Sequence, residues 1–211
     1  MSEILIEATL DTIYMIVGST FFSVILGFIP AIIMTLTASD GLRPNKIVYG
    51  IFDFLVNTFR SFPFVILLVL VMPLTRAIVG TTIKPTAALV PLTIGAIPFV
   101  ARVIESAFRE VDHGLIEAAR SFGASNFQII YRVYFKEALP SIVSGIVLTM
   151  ISLIGYSAIA GTLGAGGLGD VAIRFGYQGF KTEYMVVTSI VLIIIVQIIQ
   201  SIGNFFYKKL S

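Results

Sequence analysis

Residues 102–137, RVIESAFREVDHGLIEAARSFGASNFQIIYRVYFKE, hold ten of the chain's 26 charged side chains (14 basic, 12 acidic). The other residues read as membrane: of all 211, 57% are hydrophobic and 12% charged, and the mean hydropathy is +0.99. A soluble domain carries about twice that charged fraction. Charge gathered in one segment of such a chain marks a single water-facing surface between apolar spans. Within the segment, Leu115, Ala118, Ala119 and Phe122 recur at i, i+3, i+4, i+7 and so share one face of a short helix. Asp112 is placed to cap its start, and Gly123 to end it in the left-handed conformation. Glu117 and Arg120 lie three apart and are spaced to pair weakly. Ser125-Asn126-Phe127-Gln128 has the form of a capping box opening a further helix. Pro140 falls in the first turn of the next span or just ahead of it. The segment predicts helix, glycine turn, helix, proline. A short rigid helix across the ends of two spans transmits force; a loop helix that only packs on its own spans fits the same pattern.

Outward from this segment, charge-free windows set the spans. Thr12 to Ser39 predicts the first, with Pro30 near one end. Asp40 to Lys46 is a polar turn. Ile47 to Thr58 carries Asp53 and reads as partly interfacial, leading into a second span over Phe59 to Leu74. Pro85 to Ala101 is the core of a third, which Pro98 and Phe99 are expected to interrupt. The fourth begins near Leu139, and its glycine-rich end, Gly161 to Gly169, reads as re-entrant or loop. Tyr184 to Tyr207 is the fifth, stopped by Lys208-Lys209. The reading is an all-α integral membrane protein of five transmembrane helices in one domain, 1–211. Lysine and arginine set its orientation. With the N-terminus outside, ten basic residues fall in inner segments and four (Arg76, Lys84, Arg174, Lys181) in outer ones. The first eleven residues carry Glu3, Glu7 and Asp11 and no base, which agrees. The charged segment therefore faces the cytoplasm, as does the C-terminus.

Several functions are disfavoured. A net charge of +2 gives no reason to expect nucleic acid as a partner, and the lack of cysteine excludes disulfides and cysteine-ligated metals. His113, the only histidine, has no ligand partner near it in sequence, so no metal site is expected. No Walker-type G-x-x-x-x-G-K-[ST] occurs, so any energy from ATP must come through another chain. Gly164-Ala165-Gly166-Gly167-Leu168-Gly169 matches G-x-G-x-x-G, but a span precedes it where a dinucleotide site needs a strand. An ion-coupled carrier or channel would want ionisable residues inside the spans, and these are nearly clean of them. A membrane enzyme would need a nucleophile–base or metal constellation, and none is evident.

Glu117-Ala118-Ala119 followed by Gly123 and Val133 resembles the EAA loop of ABC-importer permeases of the type I fold, here spanning about residues 109–140. The family pattern ends in Leu-Pro where this chain has Phe135-Lys136, and Leu139-Pro140 restores a Leu-Pro four residues later. The resemblance extends to Arg60-Ser61-Phe62-Pro63-Phe64, to residues 91–102, to Gly155–Gly161, to Leu163–Gly169 and to Phe175-Gly176-Tyr177, all similar to the methionine-uptake branch. It implies a bacterial plasma-membrane permease working as a homodimer with two ATP-binding subunits, which hold the ATP and magnesium, and an external substrate-binding lipoprotein. This chain would then be no enzyme and carry no cofactor. The cargo implied is D- or L-methionine or a close amino acid, with osmoprotectants as the alternative. Leu115, Glu117, Ala118, Ala119, Phe122 and Gly123 would form a coupling helix docked on the ATPase. Gly164, Gly166, Gly167 and Gly169 would lie near the binding-protein contact, or serve helix packing.

For the path itself, Arg60 and Arg102 at the inner span ends either snorkel to the interface or meet a substrate carboxylate. Tyr156, Ser157 and Ile159 lie in a small-residue stretch that suits either ordinary packing or a gate at a dimer axis. Phe62, Pro98 and Phe99 complete the candidate path. Backbone groups freed by Pro98 would need protein or water, which favours a cavity there.

Overall fold

The computed structural model describes residues 2–210, and among these the ordered elements are all helical. The first helix, α1 (Ser2–Thr37), is longer than expected, starting ten residues earlier and running unbroken through Pro30. Its 36 residues span about 54 Å, against about 30 Å of bilayer hydrocarbon. The surplus turns carry Glu3, Glu7 and Asp11, spaced four apart, so charge there does not oppose the helix. Buried hydroxyls of Thr12, Thr20 and Thr35 each donate to a carbonyl of the preceding turn, at 2.7–2.9 Å. Each therefore keeps a partner in the apolar interior, whereas the buried Ser19 hydroxyl on the same helix has none.

The polar turn leads to α2 (Lys46–Arg60), capped by Asn45, whose side chain accepts from the backbone N–H groups of Ile47 and Val48. Its one buried residue is Val56, while Ile47, Ile51 and Phe54 lie open on one face. This is the pattern of a helix in the interface plane. The expected second span starts later than predicted. The chain breaks at Ser61-Phe62-Pro63, and α3 (Phe64–Val79) leaves at 105° to α2. Pro63 has no N–H to extend α2 and holds Phe62 out of helical geometry.

Helix α4 (Pro85–Arg109) corrects the expectation of an interrupted span: it continues through both Pro91 and Pro98. After it come α5 (His113–Ser121), α6 (Asn126–Ile129), a π-helical turn at Ile130–Tyr134 and α7 (Phe135–Ala160). The fourth span was expected to begin near Leu139. Instead it is the end of a helical rod that starts at Asn126, with Pro140 inside it and the wider π turn just upstream. Lys136 sits exposed in the first turn of α7 as an ordinary helix former. A second π turn (Gly161–Ala165), broken at Leu163 and Gly164, leads to α8 (Gly167–Val171), a third π turn (Ala172–Tyr177) and α9 (Thr182–Leu210). Among the described residues, four helical rods are long and apolar enough to cross a membrane, and α2 with α3 makes a fifth if the bent pair counts as one span.

Packing forms two main clusters. One lies where α1, α3, α4, α7 and α8 meet, around Met15, Leu92, Leu153 and Leu168. The other lies toward α5, around Val100, Ile104, Phe108, Ile129 and Tyr134. The glycine-rich segment belongs to the first. Thr12 Oγ1 accepts from the backbone N–H of Leu168 at 2.9 Å, and a Cβ on Gly167, whose φ is +81°, would stand 2.8 Å from that oxygen. Gly167 and Gly169 are buried, so they have no surface for a binding protein; Gly164 is exposed and Gly166 half-buried. The glycines at 167 and 169 let α8 press onto α1 and α7, the packing alternative.

Candidate functional site: an exposed helix and a polar cavity

Helix α5 forms where the sequence places it. Asp112 caps it, accepting from the Gly114 N–H at 2.8 Å. Gly123, at φ +78°, ends it in a Schellman turn, with Gly123 N–H donating to Arg120 O and Ala124 N–H to Ala119 O. The capping box of the next helix is complete, with Gln128 N–H on Ser125 Oγ and Ser125 N–H on Gln128 Oε1. Leu115, Glu117, Ala118 and Phe122 are exposed and Ala119 is half-buried; Phe122 is 91% exposed.

The residue that seats α5 is Ile116, which the sequence reading did not single out. It is 5% exposed and packs into the second cluster, a burial worth about 2 kcal/mol. The expected Glu117–Arg120 pair does not form. Arg120 Nη2 instead donates to the Leu42 carbonyl at 3.2 Å, and His113 Nε2 stands 3.7 Å from Asp40 Oδ2. Both contacts join α5 to the α1–α2 turn. Among the described residues Glu117 has no ion-pair partner, and its carboxylate faces outward.

At the same end of α4 lies a charge cluster. Glu105, 1% exposed, accepts from Arg102 Nη1 at 2.7 Å, from Arg109 Nε at 3.2 Å and from Tyr49 Oη at 3.1 Å. Arg102 Nη2 also donates to Asp53 in a short contact and to Asn57 Oδ1 at 3.0 Å. Two arginines and two carboxylates cancel, and the cluster clasps α2 to α4. Arg102 is thus neither snorkelling nor free, but held by carboxylates of two helices.

Two cavities open beside this cluster. The first, of about 530 Å³, is lined by Asn57, Arg60, Ser61, Gly95, Phe99 and Tyr156. The second, of about 520 Å³, runs from Arg60 and Phe99 along α4 to Glu110, with Ser141 and Ser144 of α7 and Asn204 of α9 on its other walls. Arg60 stands over the Phe99 ring at 5.9 Å, at the junction of the two. Tyr156 stacks on Phe64 with centroids 4.5 Å apart and remains partly exposed to the first cavity.

Of the expected path residues, the structure brings together Arg60, Phe99, Arg102 and Tyr156. Ser157 is buried and donates to Ile154 O at 2.8 Å, and Ile159 packs against the first cluster. Pro98 is buried within α4, and Phe62 sits exposed at the α2–α3 break. Glu110, Ser141, Ser144 and Asn204 were missed; spread over the cap of α4, α7 and α9, they share no local pattern. Glu105 had a local signal, since Arg102 and Arg109 stand three before and four after it. Among the described residues no three His, Asp or Glu are grouped to hold a metal.

Among the described residues, long apolar rods stand beside two cavities of mixed lining, with a capped helix exposed at one end. The model of the family described as "Binding-protein-dependent transport system inner membrane component" matches residues 23–211. The chain belongs to that family. Among its relatives in the family, the probable D-methionine transport system permease protein MetI of Vibrio cholerae is 48% identical over 210 residues, covering 100% of this chain and 93% of that one. The methionine import system permease protein MetP of Bacillus subtilis is 45% identical over 198 residues, covering 94% and 89%. Among solved structures, an inward-facing conformation of the MetNI methionine ABC transporter superposes with a TM-score of 0.98 at 40% identity, covering 100% and 98%. This member of the family therefore shares both fold and sequence with methionine permeases along its whole length.

Proposed function

We propose that this chain is the transmembrane permease subunit of an ATP-driven importer that carries methionine, in the D or L form, or a close amino acid across the bacterial plasma membrane. The full-length likeness to the methionine permeases carries the reading. In it the N-terminus lies outside and the C-terminus in the cytoplasm, as the lysine and arginine balance favours. Two copies form the path, and the exposed apolar faces of α9 suit a second copy as well as lipid. Two ATPase subunits dock on the α5 helices through Leu115, Glu117, Ala118, Ala119 and Phe122, with Gly123 ending the docking face. A substrate-binding lipoprotein delivers cargo at the outer side, near Gly164.

Transport is alternating access. When the ATPases close, they pull α5, and α5 carries with it the α1–α2 turn through Arg120 and the second cluster through Ile116. The clasp of Glu105 and Arg102 passes the movement from α2 to α4. The cavities beside Arg60 and Tyr156 are the path, Arg60 being poised for a carboxylate. The experiment is competition in vesicles that hold the permease, its ATPases and its binding protein. Unlabelled methionine should abolish uptake of labelled methionine, while an equal excess of an osmoprotectant such as glycine betaine leaves it unchanged. The reverse order would overturn the substrate.

A further inference from the structure

The second cavity is a groove with opposite charges at its two ends. Arg60 stands over Phe99 at the deep end, and Glu110 closes the cytoplasmic end, its Oε2 accepting from Ser141 Oγ at 2.7 Å. Among the described residues neither Arg60 nor Glu110 has an ion-pair partner, whereas Arg102 between them is neutralised by Asp53 and Glu105. The wall between them is mixed, with Val103 and Leu148 beside Ser106 and Ser144. Glu110, the cap residue just past α4, lies eleven residues after Phe99, about 16 Å along the helix axis. The carboxylate and ammonium of an α-amino acid are less than about 3 Å apart. One molecule therefore cannot be held by Arg60 and Glu110 together.

We propose that Arg60 and Glu110 are two successive stations for a zwitterionic amino acid leaving toward the cytoplasm. Arg60 takes the carboxylate as the substrate enters the groove, and Glu110 takes the ammonium at the mouth before release. Arginine binds a carboxylate through two parallel N–H donors, and a carboxylate takes an ammonium as a charge-assisted hydrogen bond. The apolar side chain slides along Val103 and Leu148 between the two. Each station offers only half of the zwitterion's partners, so neither holds it tightly, as a path must not. The inference rests on the reading above that an amino acid crosses this chain.

The test uses the lack of cysteine in the chain. Ser61→Cys reports beside Arg60, and Ser106→Cys reports one turn from Glu110. Each is placed singly in the permease–ATPase complex, reconstituted in vesicles without nucleotide, and labelled with a thiol reagent. The probes are methionine, 3-(methylthio)propylamine, which keeps only the ammonium, and 4-(methylthio)butanoate, which keeps only the carboxylate. Methionine should slow labelling several-fold at both cysteines. The butanoate should protect only Ser61→Cys, and Arg60→Gln should abolish that. The amine should protect only Ser106→Cys, and Glu110→Gln should abolish that while Glu110→Asp keeps it. One analogue protecting both cysteines, or amine protection surviving Glu110→Gln, would overturn the two stations. So would labelling blocked equally with and without amino acid, the sign of a lipid headgroup in the groove. Uptake of methionine, with ATP and binding protein added to the same vesicles, separates the two claims. Normal uptake without protection refutes the stations alone; absent uptake in the unmutated complex refutes the reading beneath them.

Discussion

Replacing Glu105 by alanine tests whether α2 is clasped to α4 as described. Glu105 is 1% exposed and compensates Arg102, whose side chain is 21% exposed, and Arg109, at 45%. Removing one partner of a buried pair costs about 3–5 kcal/mol when the other is left without compensation. Two features lower that figure here. The Arg109 contact is half in water and adds less than about 1 kcal/mol. Arg102 keeps Asp53. The expected loss is about 2–3 kcal/mol, including the Tyr49 hydroxyl left without its charged acceptor. For a chain of this size that lowers Tm by about 5–10 °C. The assay is thermal unfolding of the purified permease complex in detergent. Glu105→Gln, which keeps the volume and one acceptor, should lose about half as much. Tyr49→Phe should cost little on top of Glu105→Ala, because the bond to Glu105 is then already gone and only the exposed one from Arg109 Nη2 is left to lose. A Glu105→Ala complex melting within about 2 °C of the parent would refute the clasp and the path of force drawn through it.

The other predictions concern the two ends of the machine. Glu117→Lys should insert and fold normally, since Glu117 is exposed and without an ion-pair partner among the described residues, yet lose most ATP-driven uptake while the complex's ATPase activity persists; both rates are read on one preparation. Tyr156→Ala removes the ring stacked on Phe64 and should change uptake or basal ATPase activity, whereas a residue that only packs would change neither. Gly169→Ala puts a methyl 2.3 Å from Ala158 Cα and 2.6 Å from its carbonyl oxygen, backbone atoms that cannot swing aside. It should sharply reduce the yield of folded protein in membranes, measured by fluorescence-detected size exclusion.

Local signals were legible in the sequence, and long-range ones were not. Helix α5, its Asp112 cap, its Gly123 turn and the Ser125 capping box follow from spacings of two to four residues, and all are present. The apolar windows placed the spans, although charge misled at α1: Glu3, Glu7 and Asp11 end a hydrophobic window but not a helix that extends beyond the bilayer. Proline misled in both directions. Pro98 and Pro140 are absorbed into helices supported by their neighbours, while Pro63 marks the true break and was passed over. The clasp joins Asp53 and Tyr49 to residues about fifty positions on, and no periodicity reports such a pairing. The glycine-rich segment was read by its composition, whereas its role depends on Thr12, 156 residues away from Leu168. The cavity is likewise a property of four helices meeting, so Glu110 and Ser141 had no signature along the chain.

The most direct test is the initial rate of labelled methionine uptake into vesicles containing this chain, its ATPase subunits and its external binding protein. Accumulation should require ATP inside the vesicles and the binding protein outside, and should stop when either is withheld. Uptake that proceeds at the same rate without ATP, or no methionine uptake with every component present, would contradict the proposed ATP-driven import.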